Sequence, residues 1–442
     1  MRALSFALIA CLGLAAASAQ TLAPTPPMGW NSWDAYGFTI TEEQFRANVA
    51  ELAKLKAFGW NTAVIDEGWY MQDPFGKDLK ARRYQYDANG LLLPSENRFP
   101  SAAKGAGLKP LADFVHAQGL SFGVHVIRGI PKEAVEKNLP IAHSSFHASE
   151  AADTSDTCPW DDGNYGLRDN AAGQAYYDSM VKKYADWGVD FIKVDCIADH
   201  PYKPVEIRQI AQAIKSSGRA IVLSLSPGPT NISHAAEVGS LAQMWRIADD
   251  SWDGWSFAPA EWPNGVLTGF AKLALWHAYA KPGNWPDADM LPFGSLTPHP
   301  GWGEPRQSRL TADEERTFFT LWAIARSPLI LGGNLTKLDA VTRGLITNKA
   351  VIAVNQTAFE SYPANDQQTD VDIRVWMATT GTPQQPTHYT ALFNLANEPK
   401  TMTIVVPVKW HALIDLWSGQ RLTQGDATIT LPAHGSVMYK VE

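Results

Sequence analysis

The sequence predicts an α/β protein made of a (β/α)8 TIM barrel followed by a small C-terminal antiparallel β-sandwich. Three observations favour this fold. The chain has 442 residues, which is too long for one ordinary domain. Short apolar runs alternate with amphipathic stretches from residue 28 to about residue 335. After about residue 360 the pattern changes to short strands that are separated by turns.

Short apolar runs in the first part are the candidate barrel strands. They are Met28–Trp33, Thr62–Trp69, Ser121–Arg128, Asp190–Asp195, Ala220–Ser226, Met244–Asp250, Asn284–Met290 and Ser327–Gly333. Between them lie helical patterns such as Ala171–Trp187, which carries apolar residues at helical spacing. Eight strands with crossover helices indicate a closed parallel barrel. The competing fold is a doubly wound open sheet, but no Gly-rich phosphate turn follows the first strand.

The second part consists of candidate strands that are separated by turn signals. They are Asp372–Ala378, His388–Asn394, Met402–Val408, Ala412–Trp417, Ala427–Leu431 and Ser436–Val441. We therefore place the barrel at residues 20–358 and the sandwich at residues 359–442. Because no low-complexity linker separates them, we expect the two parts to pack against each other.

Residues 1–19 have the pattern of a secretory signal peptide. Arg2 supplies the positive charge, Leu4–Leu14 the apolar run and Ala17–Ala19 the small-residue cleavage site. The run is too short to span a bilayer as a helix, and no later stretch is long enough. A lipoprotein-like box ends at Cys11, but the apolar run continues past it, so lipid anchoring is the lesser alternative. We expect a secreted or periplasmic protein without a membrane span.

Charge and composition limit the classes of partner. The net charge is −8, whereas nucleic-acid binding needs a basic surface, so we expect no nucleic-acid partner. The 17 tryptophans provide flat faces on which sugar rings stack, although most of them must belong to the core. Loss of the signal peptide leaves Cys158 and Cys196, which either pair in an oxidising compartment or remain buried thiols. The sequence carries no signal for a particular oligomeric state.

Polar side chains stand at the ends of the candidate barrel strands, where barrel enzymes collect their catalytic residues. The acidic ones are Asp66, Glu67, Asp195, Asp250, Asp287 and Asp289. Burying several like charges is costly unless they are paired or used, and Lys193 and Arg246 are the obvious partners. Carboxylates on strands four and six can flank one point, as glycoside hydrolysis requires. A divalent metal is the alternative, and the adjacent cations disfavour it.

Several longer stretches occur in a recognisable order. They are Pro27–Trp33, Trp187–Asp195, Trp245–Asp250, Gly283–Leu291, Leu321–Ile330 and Asn348–Gln356. Together they resemble glycoside hydrolase family 27, the melibiase-like α-galactosidases, over the chain from residue 24 to its end. The resemblance implies a retaining exo-α-galactosidase that forms a covalent glycosyl-aspartate. It also implies a carbohydrate substrate, no cofactor and no metal.

The resemblance assigns the catalytic roles to two aspartates. Asp195 resembles the family nucleophile and should be ionised and held by Lys193. Asp250 resembles the general acid/base and should carry a proton before the attack. A shift of register to Asp249 is the alternative. The expected substrate-binding residues are Trp33, Asp66, Glu67, His125, Cys158, Lys193, Ser226 and Arg246.

Three of these residues depart from the family pattern. Glu67 stands where the family has an aspartate, and its extra methylene reaches toward the space of the galactose hydroxymethyl group. That change would favour β-L-arabinopyranose, which is galactose without this group. His125 replaces a tyrosine, and the family's Cys-Glu-Trp carboxylate is missing near Ser226. The family's second cysteine lies two residues after the nucleophile, whereas Cys196 follows Asp195 directly, so the bridge to Cys158 stays open.

The chain also has a long insertion at Ile130–Tyr165, which we expect to form a loop over the site. Such a loop would close the pocket to terminal sugars or bind further sugar units. The alternatives to an α-galactosidase keep the machinery and change the sugar, as a β-L-arabinopyranosidase or an isomaltodextranase-like enzyme. Two other classes are a non-catalytic carbohydrate-binding protein and a metal-dependent lyase or hydrolase.

Overall fold

A computed structural model describes residues 21–75, 83–258, 262–364, 370–423 and 428–442 of the chain. The expected signal peptide at residues 1–19 lies outside these ranges, and so does Cys11. No helix in the described ranges is long and apolar enough to cross a membrane.

Within those ranges, eight parallel strands form one sheet. We number them β1 to β8: Met28–Asn31, Thr62–Ile65, Ser121–Ile127, Phe191–Asp195, Val222–Leu225, Met244–Arg246, Trp285–Asp287 and Leu329–Leu331. Hydrogen-bonded neighbours follow the order β7-β6-β5-β4-β3-β2-β1-β8. Just after β7, Leu291 forms a parallel bridge to Leu331 of β8, which joins the two edges of the sheet. The predicted barrel is confirmed, and most strands end earlier than predicted because the final polar residues belong to loops.

Helices cover the outside of the sheet, as the predicted crossovers require. The described α-helices are Trp33–Tyr36, Glu42–Leu55, Lys109–Ala117, Lys132–Glu136, Ala148–Ala151, Ala171–Trp187, Pro204–Ser217, Ala235–Leu241, Val266–Trp276, Ala312–Ile324, Ala340–Ile346 and Lys349–Thr357. Thr41 begins Glu42–Leu55 with a capping box, in which its hydroxyl accepts from the backbone N–H of Gln44. Phe45 and Leu52 of that helix are completely buried in the core.

The insertion after β3 is a structured element. Its strands Ile130–Pro131, Ala152–Thr157 and Asn164–Leu167 form a small antiparallel sheet. A disulfide between Cys158 and Cys196, whose Cα atoms are 6.0 Å apart, ties this sheet to the end of β4. Arg128 forms ion pairs with Asp156 and with Glu206, each at 2.8 Å. Arg128 therefore anchors the insertion, although it stands at a strand end.

The C-terminal part is the predicted antiparallel sandwich. Its larger sheet has the order Glu360–Pro363, Ile373–Thr382, Gln385–Asn394, Ser436–Val441, Ala412–Asp415 and Arg421–Thr423, and its smaller sheet pairs Lys400–Thr403 with Thr428–Leu431. The sequence did not predict Glu360–Pro363 and Arg421–Thr423, because strands of four and three residues are too short to show a pattern. Phe393 contacts Phe270 of the barrel at 5.1 Å between ring centroids. The two parts therefore pack together, as expected.

Candidate active site

The C-terminal ends of the barrel strands surround a cavity of about 440 Å³, which is within the usual size of small-molecule sites. The cavity is lined by Trp33, Phe38, Asp66, Glu67, Trp160, Asp161, Lys193, Asp195, His200, Pro227, Asp249, Asp250, Trp262 and Met290. Predicted site residues at or just after the ends of β1, β2, β4 and β6 thus meet at one place, because parallel strands bring these ends together.

Asp195 is the last residue of β4 and lies on the cavity wall. Its Oδ1 accepts the backbone N–H of Cys196 at 2.8 Å, and its Oδ2 lies 3.3 Å from Nε2 of His125. Burial by itself would raise the pKa of Asp195. The hydrogen bond and charge of His125, the charge of Lys193 and the Cys196 N–H outweigh burial and lower the pKa. Asp195 is therefore an ionised carboxylate at neutral pH.

Asp66 is a buried carboxylate with charged and polar partners. Its Oδ2 accepts from Nδ2 of Asn31 at 2.6 Å and from Nζ of Lys193 at 2.8 Å. Its Oδ1 accepts the backbone N–H of Glu67 at 2.8 Å. Burial would raise the pKa of Asp66, but the charges of Lys193 and His125 hold it well below its usual range. This fixed pair of charges suits the hydroxyl groups of a sugar.

Asp250 follows β6 and lines the cavity with its carboxyl group partly exposed. Its Oδ1 accepts from Nη2 of Arg246 at 3.1 Å. Its Oδ2 accepts from the indole Nε1 of Trp262 at 3.3 Å. Two donors from different loops therefore hold this carboxyl group at the cavity.

Asp249 lines the cavity beside Asp250. Its Oδ1 accepts the backbone N–H of Asp250 at 3.1 Å. Burial and the negative charge of Asp250 raise the pKa of Asp249 to about 6. Both consecutive aspartates thus reach the cavity, and the choice of acid/base between them stays a prediction.

Glu67 is buried at the cavity wall. Its Oε1 has no hydrogen-bond partner in the part of the chain that the structure describes. Burial, the charge of Asp161 and a hydrogen bond with Asp161 raise the pKa of Glu67 well above its usual value. The neutral, protonated form of Glu67 is therefore favoured at the cavity wall.

The other predicted site residues lie beneath or beside the cavity wall. His125 is completely buried and contacts Asp195. Arg246 is buried and donates a hydrogen bond to Asp250, which lines the cavity. Ser226 is buried, and its backbone N–H donates to Val194. Cys158 is bonded to Cys196 and is absent from the cavity lining of the described chain, so it has no free thiol for a substrate.

Sequence reasoning did not assign several residues that the structure brings to the site. Trp160 and Asp161 stood in the insertion that was expected over the pocket, so only their exact position was missing. No motif or spacing in the sequence indicated that His200 and Trp262 lie at the site. In the described ranges, no group of three or more His, Cys, Asp or Glu side chains is arranged to hold a metal ion.

Comparison with known proteins defines the family. Residues 161–357 match the family described as Alpha galactosidase A, and residues 342–441 match the Alpha galactosidase C-terminal beta sandwich domain. The solved structure of a β-L-arabinopyranosidase of glycoside hydrolase family 27 from Geobacillus stearothermophilus is similar over 95% of this chain and 97% of that chain. The identity is 38% and the TM-score is 0.87. The chain belongs to glycoside hydrolase family 27.

Curated relatives of this family 27 glycoside hydrolase extend the comparison. The α-galactosidase A of Cellvibrio japonicus is 28% identical over 98% of this chain and 96% of its own length. The α-galactosidase of Coffea arabica is 29% identical over 95% of this chain and 94% of its own length. The similarity to these enzymes therefore includes both the barrel and the sandwich.

Proposed function

We propose that this enzyme is a retaining exo-α-galactosidase, which hydrolyses terminal α-galactosyl residues by double displacement. The observation that carries the proposal is that an ionised Asp195 and a hydrogen-bonded Asp250 stand on the wall of one cavity. The family and its α-galactosidase relatives support this sugar.

In the first step, the carboxylate of Asp195 attacks the anomeric carbon and forms a covalent glycosyl-aspartate. The bond to the glycosidic oxygen breaks, the electron pair leaves with that oxygen, and Asp250 gives it a proton. His125 and the Cys196 N–H bind the carboxylate of Asp195, so they hold it in position for the attack.

In the second step, Asp250 is a carboxylate and takes a proton from a water molecule. The water oxygen bonds to the anomeric carbon, and the bond between that carbon and Asp195 breaks. Two displacements at one carbon retain its configuration. Asp66 and Lys193 bind hydroxyl groups of the sugar in both steps, and Trp33 forms part of the wall around its ring.

The second candidate is a β-L-arabinopyranosidase, and Glu67 is the observation that favours it. The side chain is buried at the cavity wall and is longer by one methylene than the family's aspartate. Under this second candidate, the side chain would take the space of the galactose hydroxymethyl group, which arabinopyranose lacks. The Geobacillus relative carries this activity in its name.

Aryl α-D-galactoside and aryl β-L-arabinopyranoside, with the same leaving group, test the proposal directly. We expect both to be cleaved, with the galactoside having the higher kcat/KM, and proton NMR should show that the first product keeps its configuration. Cleavage of the arabinopyranoside alone would support the second candidate. Cleavage of α-1,6-linked glucan alone would support an isomaltodextranase-like enzyme, and an inverted product would refute double displacement.

We also infer that the enzyme works outside the cytoplasm, in the periplasm or as a secreted protein. The signal-peptide pattern of residues 1–19 supports export, and the Cys158–Cys196 disulfide is typical of oxidising compartments. Cell fractionation with N-terminal sequencing tests this inference. A mature chain that starts near Gln20 is expected, and a cytoplasmic chain that keeps Met1 would refute it.

A further inference from the structure

Two tryptophans at the cavity have no role in binding the galactosyl unit in the proposed mechanism. Trp160 is 38% exposed and Trp262 is 44% exposed, and both line the cavity. They are the tryptophans that the described chain leaves exposed. A large apolar side chain that faces solvent beside a cavity is a feature of ligand-binding sites.

The position of Trp262 relates it to the leaving group of the substrate. Its Nε1 donates to Oδ2 of Asp250 at 3.3 Å. Because Asp250 gives its proton to the departing oxygen, the indole lies on the leaving-group side of the scissile bond. Trp302 supports it edge to face at 5.9 Å between ring centroids, and Arg306 and Arg309 lie over Trp302. These contacts hold the indole in place.

Trp160 belongs to the insertion and is held by neighbours on both sides. It lies two residues after Cys158, which the disulfide ties to Cys196. Its ring packs edge to face against His200 at 5.7 Å, and His200 also lines the cavity. The insertion thus carries an indole to the cavity from a chain segment remote from Trp262.

Resting on the proposed function, we propose that Trp160 and Trp262 form a binding subsite for the leaving group, and that its ligand is a second pyranose ring. The apolar face of an indole packs well against the C–H bonds on one face of a pyranose. Asp161, Asp249 and His200 line the same cavity and offer partners for the hydroxyl groups of that ring. A wholly apolar leaving group would leave these polar groups without partners.

Two substrates with the same sugar test the subsite. An α-galactosyl disaccharide fills it with a second ring, whereas α-galactosyl fluoride has a leaving group too small to reach it. We expect Trp160→Ala to lower kcat/KM for the disaccharide at least about tenfold more than for the fluoride, mainly through KM. Trp262→Phe, which loses the hydrogen bond to Asp250 and keeps a ring, should keep much of the disaccharide preference, whereas Trp262→Ala should lose it.

The matched control is Phe359→Ala, which removes an exposed aromatic ring that is not part of the cavity lining in the described chain. It should leave the ratio of the two substrates unchanged. An unchanged ratio in Trp160→Ala and Trp262→Ala, with hydrolysis intact, would overturn the subsite and leave the proposed function standing. A wild-type enzyme that hydrolyses neither substrate would instead overturn the proposed function.

A second measurement does not depend on how the tryptophan variants fold. In Asp195→Ala, which should bind substrate without cleaving it, the disaccharide should shift the tryptophan emission to shorter wavelength more than galactose does. The physical reason is that the second ring removes water from the two exposed indoles. Equal shifts with the disaccharide and with galactose would contradict the subsite.

Discussion

Arg246 and Asp289 form a buried ion pair, with 2.7 Å between Nη1 and Oδ1. The same guanidinium donates through Nη2 to Asp250 at 3.1 Å. Asp289 also accepts, through Oδ2, the backbone N–H of Ser251 at 2.7 Å, and Ser251 directly follows Asp250. Asp289 adopts a φ of +86°, which is uncommon for a residue other than glycine. Asp289 therefore controls both the charge beside Asp250 and the backbone that carries it.

Asp289→Asn should remove an inflection near pH 7 from the kcat/KM–pH profile. Burial and the negative charges of Asp250 and Asp287 raise the pKa of Asp289 to about 7, against the positive charge of Arg246. Asp34, which is also buried, is a further acidic neighbour of Asp289. Asparagine cannot ionise, so the charge beside Arg246 no longer changes as the pH passes through 7.

The control for this pH effect is Glu206→Gln. Glu206 is also buried and pairs with an arginine, Arg128 at 2.8 Å, but it does not line the cavity. This variant should lower the melting temperature and leave the pH profile in place. Equal profiles for Asp289→Asn and the wild type would show that Asp289 has only a structural role.

Asp195→Gly should reduce kcat by about 10³-fold or more, because the attacking carboxylate is lost. External azide can occupy the vacated space and attack the anomeric carbon of an aryl galactoside. We expect partial recovery of turnover and a glycosyl azide of inverted configuration, identified by NMR. Recovery by azide with retained configuration would contradict the assignment of Asp195 as nucleophile.

Asp250→Ala should reduce the hydrolysis of substrates with poor leaving groups by about 10²–10⁴-fold, because the departing oxygen is no longer protonated. Aryl galactosides with acidic phenols should be affected far less. The slope of log kcat/KM against the pKa of the phenol measures the difference. Asp249→Ala is the comparison, since the pKa of Asp249 is raised to about 6. A steep slope in Asp249→Ala alone would shift the assignment by one residue.

Glu67→Asp should raise the ratio of α-galactosidase to β-L-arabinopyranosidase activity by about tenfold, since one methylene in a pocket has an effect of this order. The shorter side chain leaves room for the hydroxymethyl group of galactose. Glu67→Gln is the matched control, because it keeps the length of the side chain and cannot ionise. If the activity ratio changes in Glu67→Gln but not in Glu67→Asp, the polarity of the side chain selects the sugar, and its length does not.

Replacement of Cys158 and Cys196 by serine should lower the free energy of unfolding by about 2–4 kcal/mol, because the disulfide closes a separation of 38 residues. The melting temperature in calorimetry measures this loss. Dithiothreitol should lower the melting temperature of the wild type toward that of the double variant and leave the double variant unchanged. If dithiothreitol lowers the melting temperature of both proteins equally, its effect does not come from reduction of this disulfide.

The barrel was predictable because each strand is a short apolar run that is buried on both faces. The strand ends Asp66, Asp195 and Asp250 followed from the same pattern, since parallel strands bring their ends together. Arg128 shows the limit of this reasoning. It stands at the end of β3, yet it pairs with Asp156 of the insertion, because a side chain at a strand end also has neighbours outside the barrel.

The sequence by itself determined the eight strands, the sandwich and the family, because apolar spacing and motifs are local properties of the chain. Only the tertiary structure brought Trp160 and Trp262 to the cavity and paired Arg246 with Asp289. The physical reason is that contacts between separate loops depend on how the elements pack. Side-chain pKa values depend on the same packing, as the raised pKa of Glu67 and the lowered pKa of Asp66 show at adjacent positions.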